Sequence, residues 1–99
     1  MHFVVIAYDG TDEGALARRL AVRETHLALG KQLAENGNWL YACAMQNDEG
    51  KSIGSVMICD FASREELDQW LKEEAYAQGE VWKEIRVYKA LIPPLWPQK

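Results

Sequence analysis

Residues 2–8, His2-Phe3-Val4-Val5-Ile6-Ala7-Tyr8, form a β-branched and aromatic run in which both alternating sets are apolar. Side chains alternate between the two faces of a strand, so Phe3, Val5 and Ala7 share one face and Val4, Ile6 and Tyr8 the other. A strand of this kind needs cover on both sides. Residues 53–61 repeat the pattern, with Ile53, Met57, Cys59 and Phe61 facing one way and Val56 and Ile58 the other. A chain of 99 residues is one domain with room for a single core. One layer of helices can bury one sheet face; the second face requires something else.

The remaining punctuation orders the elements. Asp9-Gly10-Thr11-Asp12 is a turn, with Thr11 or Asp12 placed to cap a helix running from about Glu13 to Asn36 and stopping at Asn36-Gly37. Trp39 to Gln46 reads as a second strand, Asn47-Asp48-Glu49-Gly50 as a hairpin turn, and Ile53 to Phe61 as a third strand. Ser63 and Glu66 make a Ser-x-x-Glu capping box for a second helix, whose apolar face is Leu67, Trp70 and Leu71 and which fades between Ala75 and Gly79. Val81 to Leu91 contains strand four, with Ile85, Val87 and Leu91 on one side. Pro93, Pro94 and Pro97 end regular structure.

Residues 1–92 are thus expected to form the domain, and residues 93–99 a Pro-rich tail carrying Leu95 and Trp96. The order β-α-β-β-α-β predicts an α+β, ferredoxin-like fold, an antiparallel sheet with two helices on one face. The uncovered face would expose more apolar surface than a soluble monomer tolerates, so a homodimer stacked sheet on sheet is expected, with the tail as an added clasp.

The first helix breaks the usual pattern. At about 100° per residue, Val22, Leu29 and Leu33 flank His26 on one side, and Leu16, Leu20, Leu27 and Ala34 on the other. Arg19, Arg23, His26 and Gly30 lie between these flanks, where a buried stripe belongs. Either the register is interrupted near Arg18, or these side chains reach into a polar pocket. Imidazole is the side chain suited to exchanging protons near neutrality, and a neighbouring carboxylate fixes its tautomer. Asp9, ending strand one, and Glu74, after helix two, are the candidate carboxylates.

Two readings follow. In the functional one, His26 with Asp9 is an acid–base pair, Arg23 and Arg19 hold an anion, and Ser55 or Glu74 orients the ligand. In the structural one, His26 is a satisfied core histidine, Arg23 pairs with Glu74, Asp9 or a helix-two acid, and Ser55 is satisfied by backbone. Tyr8, Tyr41 and Trp39 either line a pocket for a planar ligand or pack in the core.

Composition excludes other classes. A formal net charge of −4 with scattered basic residues argues against a nucleic-acid partner. No apolar run approaches the roughly 20 residues a membrane helix needs, and the short first run meets Asp9, as a strand does and a leader does not. Cys43 and Cys59 lack metal-ligand spacing and read as free thiols, consistent with a reducing, cytoplasmic setting. No nucleotide, metal or Gly-x-Ser-x-Gly motif is present, so chemistry without a cofactor is the expectation.

The chain resembles the YCII-related (YciI-like) family. The matching residues are Ala7-Tyr8-Asp9, the block Arg19-Leu20-Ala21-Val22-Arg23-Glu24-Thr25-His26-Leu27, Gly54-Ser55, and the stretch from Trp70 through Tyr76 to Gly79. The resemblance implies a ferredoxin-like dimer of the dimeric α+β-barrel group, with a His/Asp-centred site at His26 and Asp9. Related barrels include muconolactone isomerases and a chlorinated-hydroquinone dehydrochlorinase, which implies proton transfer on small ring compounds. Two positions depart from the family pattern: Ala42-Cys43-Ala44 stands where Ala-Gly-Pro is common, and Glu74-Ala75-Tyr76 where Asp-Pro-Tyr or Asp-Pro-Phe is common.

The expected function is therefore a small acid–base enzyme acting on a small anionic, aromatic or lactone-like compound by isomerisation or elimination. The alternative is a non-catalytic ligand-binding or regulatory dimer whose His-Arg-carboxylate cluster is structural.

Overall fold

A computed structural model describes residues 1–96. In chain order the elements are β1 (His2–Asp9), α1 (Ala15–Glu35), β2 (Trp39–Gln46), β3 (Ser52–Asp60), α2 (Arg64–Glu73), α3 (Ala75–Gln78) and β4 (Trp82–Ala90). The strands form one antiparallel sheet in the order β2-β3-β1-β4. This is the ferredoxin-like arrangement, and each expected element lies within a few residues of its anticipated bounds.

Register sorts the side chains into two sets of rows. On the helix-covered face, Ala42, Met57, Val5 and Val87 line up across β2-β3-β1-β4, as do Ala44, Ser55, Ala7 and Ile85. On the open face the rows are Tyr41-Ile58-Val4-Tyr88 and Cys43-Val56-Ile6-Arg86. Phe3, Val5, Met57, Cys59 and Leu67 are buried in the core beneath the helices, with Phe61, Tyr76, Val81 and Trp82 around them. The helices leave the β4 margin uncovered: Ile85 is exposed and Leu91, past the end of β4, is 92% exposed, so these two do not join Val87 against the core.

Helix α2 starts as expected, with Ser63 Oγ accepting from the Glu66 backbone N–H at 3.1 Å. Helix α1 starts two residues later than its sequence suggests. Asp12 is turned to bind Arg18, at 2.8 and 2.6 Å, and its carboxylate also accepts from the Gly14 N–H. Arg18 in turn donates to the Glu80 carbonyl oxygen, tying the β1–α1 turn to the loop before β4. The helix closes at Gly37, which has φ of +84°.

The register of α1 is not interrupted near Arg18. It is one continuous helix whose buried residues are Ala15, Arg19, His26 and Gly30, while Leu16, Leu20, Leu27 and Leu29 are exposed. The polar stripe is the inner stripe. Gly30 completes it, because a Cβ there would lie 2.5 Å from the Trp39 ring. Lacking a side chain at this turn, α1 lets Trp39 wedge against it from β2.

Beyond β4 the chain turns at Pro93, whose carbonyl accepts from the Leu95 N–H. This segment borders a groove of about 670 Å³ at one end of the open face, lined by Val4, Tyr41, Ile58, Leu91, Ile92 and Trp96 among others. Residues 97–99 of the anticipated tail lie outside the described residues.

Candidate functional site

The inner stripe of α1 meets the sheet at two places, and each arginine or histidine finds a different carboxylate. Arg19 Nη1 donates to both oxygens of Asp9, at 2.9 and 2.8 Å, and both side chains are buried. Arg19 Nη2 donates to Ser55 Oγ at 3.1 Å. His26, two turns further along, is hydrogen-bonded through Nδ1 to Glu74 Oε1. Glu74 sits at the α2–α3 junction, where the same oxygen also caps α3 by accepting from the Tyr76 N–H at 3.1 Å.

Asp9 is therefore the partner of Arg19, and Glu74 that of His26. The expected His26–Asp9 pair does not form because seven residues of helix separate Arg19 from His26 by about 10 Å along the axis. A carboxylate at the end of β1 that is held by the first cannot serve the second. Glu74 is likewise not placed to touch a ligand. Its side chain is fully buried behind the imidazole, and Oε2 is enclosed without a hydrogen-bond partner among the described residues.

The histidine is held on three sides by aromatic rings. Tyr76 stacks on it at 3.7 Å and 7°, Trp39 is tilted at 5.6 Å, and Trp82 presents an edge at 6.0 Å. The Arg19 guanidinium lies 4.8 Å from the centre of the same Tyr76 ring. Burial pushes the Tyr76 phenol above its ordinary value, although Arg19 and Arg23 pull the other way. Trp82 contributes more than packing: its Nε1 donates to Ser55 Oγ at 3.3 Å. Neither Tyr76 nor Trp82 is among the site residues expected from the sequence, although Tyr76 falls in the stretch that carries the family resemblance.

These groups border a pocket of about 350 Å³ between α1 and the β2–β3 half of the sheet. Arg19, Arg23, His26 and Leu27 form the α1 wall, Ser55 and Met57 belong to the floor, and Tyr76 and Trp39 close the remaining side. Ala42 and Ala44 extend the floor into β2, and their small side chains keep it open. Arg23 is exposed and has no ion-pair partner among the described residues. The anticipated bridges from Arg23 to Glu74, Asp9 or a helix-two acid do not form among the described residues: Glu74 holds His26, Asp9 holds Arg19, and Asp68 of α2 pairs with Arg64. Of the aromatics considered for a ligand platform, Trp39 lines this pocket, whereas Tyr8 and Tyr41 belong to the open face.

Chemically the pocket offers an imidazole with Nδ1 occupied, and an Nε2 and an Arg23 guanidinium that have no partner among the described residues, together with the Ser55 hydroxyl and an aromatic wall. Among the described residues no three His, Cys, Asp or Glu side chains converge as a metal site requires. No helix among them is long and apolar enough to cross a membrane.

Residues 1–90 match the YCII-related domain. The chain belongs to the YCII-related family. It is 33% identical over 93 residues to protein YciI of Escherichia coli, and equally to that of Shigella flexneri, covering 88% of this chain and 93% of each relative. An uncharacterised protein of Haemophilus influenzae is 32% identical over the same length. Among solved structures, a 5-chloro-2-hydroxyhydroquinone dehydrochlorinase from Burkholderia phenoliruptrix, in complex with 2,5-dihydroxybenzoquinone, superposes with a TM-score of 0.80 at 18% identity, covering 92% of this chain and 94% of that one. A dimeric ferredoxin-like protein of unknown function from Jannaschia sp. superposes with a TM-score of 0.50 at 14% identity. At these identities the likeness establishes that this YCII-related protein shares the ferredoxin-like fold.

Proposed function

We propose that this YCII-related protein is a homodimeric acid–base enzyme that acts on a small, planar, anionic compound by isomerisation or elimination. The observation that carries the reading is the state of His26: Nδ1 is tied to buried Glu74, and Nε2, on a residue that lines a pocket beside Arg23, has no partner among the described residues. With Glu74 ionised, Nδ1 keeps the proton and Nε2 is the basic nitrogen. His26 then removes a proton from a carbon next to a carbonyl, and the electron pair moves onto the carbonyl oxygen. Returning the proton to another carbon isomerises the compound. Departure of a leaving group with its electron pair eliminates it.

Arg23 holds the substrate's negative charge, Glu74 positions the imidazole, and Asp9 positions Arg19. The dehydrochlorinase of the same fold, complexed with 2,5-dihydroxybenzoquinone, supports a planar oxygenated ring as the substrate class. The apolar rows of the open face support the homodimer.

The test uses that neighbour's compounds. Binding of 2,5-dihydroxybenzoquinone is followed by quenching of tryptophan fluorescence, and chloride release from 5-chloro-2-hydroxyhydroquinone by ion electrode. Saturable binding in the wild type, with chloride release that His26→Gln abolishes while keeping the fold by circular dichroism, is the expected result. Identical behaviour of wild type and His26→Gln in both assays overturns the proposal.

A further inference from the structure

Trp39 borders both the pocket of about 350 Å³ beside His26 and the groove of about 670 Å³ at the end of the open face. Among the described residues it is the one that the two linings share. Its position is set where β2 begins. Trp39 stands opposite Cys59 and Tyr41 opposite Ile58, so Leu40 is an extra residue bulged against β3. Residues 39 and 41 of a regular strand would share a face. The bulge instead sends Trp39 to the helix side with Cys59, and Tyr41 to the open side with Ile58.

The indole is held there by packing. A Cβ at Gly30 would come within 2.5 Å of its Cζ3, so the ring edge fills the notch that glycine leaves in α1. Trp70 meets it edge-on with ring centres 5.7 Å apart, and the His26 ring leans against it at 5.6 Å. Nε1, by contrast, is enclosed with no hydrogen-bond partner among the described residues. A buried N–H left in that state destabilises the fold, so polarity is not what a tryptophan contributes here. Its contribution is bulk, at the junction of pocket and groove.

We infer that Trp39 sets the size of compound the site accepts: its indole is the end wall that restricts the pocket to single-ring substrates and denies them the groove behind it. The inference rests on the reading of His26 as the base and narrows the class of compound that this base can reach. Volume decides the point. At about 350 Å³ the pocket stands at the small end of ligand sites, which span roughly 300–1,000 Å³. Pocket and groove joined would reach the upper end of that range and would take a two-ring compound. Other parts of the lining do not impose the limit. Ala42 and Ala44 leave the floor low, and Leu27 and Arg23 are exposed side chains that can yield. The packed indole cannot yield without disturbing Gly30, His26 and Trp70 together.

Two probes that differ only in size test the wall: 2,5-dihydroxybenzoquinone and its 3-phenyl derivative, each titrated into the protein by isothermal calorimetry. The wild type is expected to bind the phenyl compound roughly tenfold or more weakly than the parent, the size of an overpacked contact. Trp39→Ala opens the pocket to the groove and is expected to bind the phenyl compound at least as tightly as the parent. Trp39→Phe, with a smaller ring, should discriminate in between. The ratio of the two affinities is the readout, because a merely structural loss would weaken both compounds alike. Should Trp39→Ala fail to fold, Trp39→Leu keeps an apolar side chain against the core, opens the junction, and is expected to lose the discrimination too. Equal affinity of the wild type for the two compounds, or discrimination that survives in Trp39→Ala and Trp39→Leu, overturns the inference and leaves the His26 reading standing. Absence of saturable binding of the parent compound by the wild type overturns both.

Discussion

Arg19 holds Asp9 through a single nitrogen, Nη1 reaching both carboxylate oxygens at 2.9 and 2.8 Å, which leaves Nη2 for Ser55. A buried cation is retained only where it is paired and hydrogen-bonded. Asp9→Asn leaves that cation uncompensated, and a loss of about 3–5 kcal/mol is expected in urea unfolding. The double change Asp9→Asn with Arg19→Met removes both charges and is expected to cost less than Asp9→Asn alone. A double-mutant cycle checks the sign; strictly additive losses would rule out the pairing.

Glu74 acts on chemistry through His26. Glu74→Gln replaces an acceptor with an amide that can donate to Nδ1 and turn the proton to Nε2, converting the base to the wrong tautomer. Chloride release is expected to fall by roughly a hundredfold or more. Glu74→Asp, which keeps the charge on a shorter arm, is expected to fall in between. Binding of 2,5-dihydroxybenzoquinone should change far less than turnover in both variants, which separates a positioning role from a role in holding the ligand.

Much of this arrangement is legible in the sequence, and the illegible part has one cause. The strands show because period two is local and both faces of β1 and β3 are apolar. The α2 cap shows because Ser63 and Glu66 stand three apart. The inner stripe of α1 shows as a violation of amphipathicity at Arg19, Arg23 and His26. The partnerships do not show, because they depend on where α1 crosses the sheet. Asp9 and Glu74 are equally eligible carboxylates until the crossing puts one beside Arg19 and the other beside His26. Ser55 as an acceptor for Trp82 is hidden for the same reason: the two meet only through the register of β3, β1 and β4.

The Asp12–Arg18 clasp gives an acid-sensitive element away from the site. Arg18 holds the Asp12 carboxyl well below the usual carboxylate range, chiefly through its hydrogen bonds. A lowered folded-state value stabilises the fold at every pH above the unfolded value of about 4, and the advantage shrinks as acid carries the solution below it. Asp12→Asn is therefore expected to lower the melting temperature at neutral pH and to approach the wild type progressively below pH of about 4. A gap between the two that stays constant through the acid range would exclude this contribution.

The two thiols should separate cleanly. Burial pushes the Cys59 thiol up to about 12, whereas Cys43 lies exposed on β2. The thiolate is the reactive form. At mildly alkaline pH, with the chain kept monomeric by Ile6→Glu, a disulfide reagent is expected to modify one equivalent per chain quickly, and the second only in denaturant. Cys43→Ser should remove the fast equivalent, and fast labelling of two thiols in the native protein would contradict the burial of Cys59 in the core.

The open face supplies the last test, since it bears on how the whole molecule is assembled. In the row Tyr41-Ile58-Val4-Tyr88 two aromatic rings flank an aliphatic pair, and in the adjacent row Val56 and Ile6 lie between Cys43 and Arg86. Arg86 is paired with Glu84 along the same strand, at 3.4 Å, so its charge is already answered at the β4 edge. A second copy related by a two-fold axis would present the same rows and bury the aliphatic centre on both sides. Ile6→Glu or Val56→Glu then places two like charges, one from each copy, in an apolar contact, and a carboxylate cannot be buried there without a partner. Sedimentation velocity is expected to show a dimer for the wild type and a monomer for either variant. The far-ultraviolet circular dichroism should be unchanged, because neither Ile6 nor Val56 belongs to the core beneath the helices. A wild-type protein that sediments as a monomer at micromolar concentration would refute the homodimer.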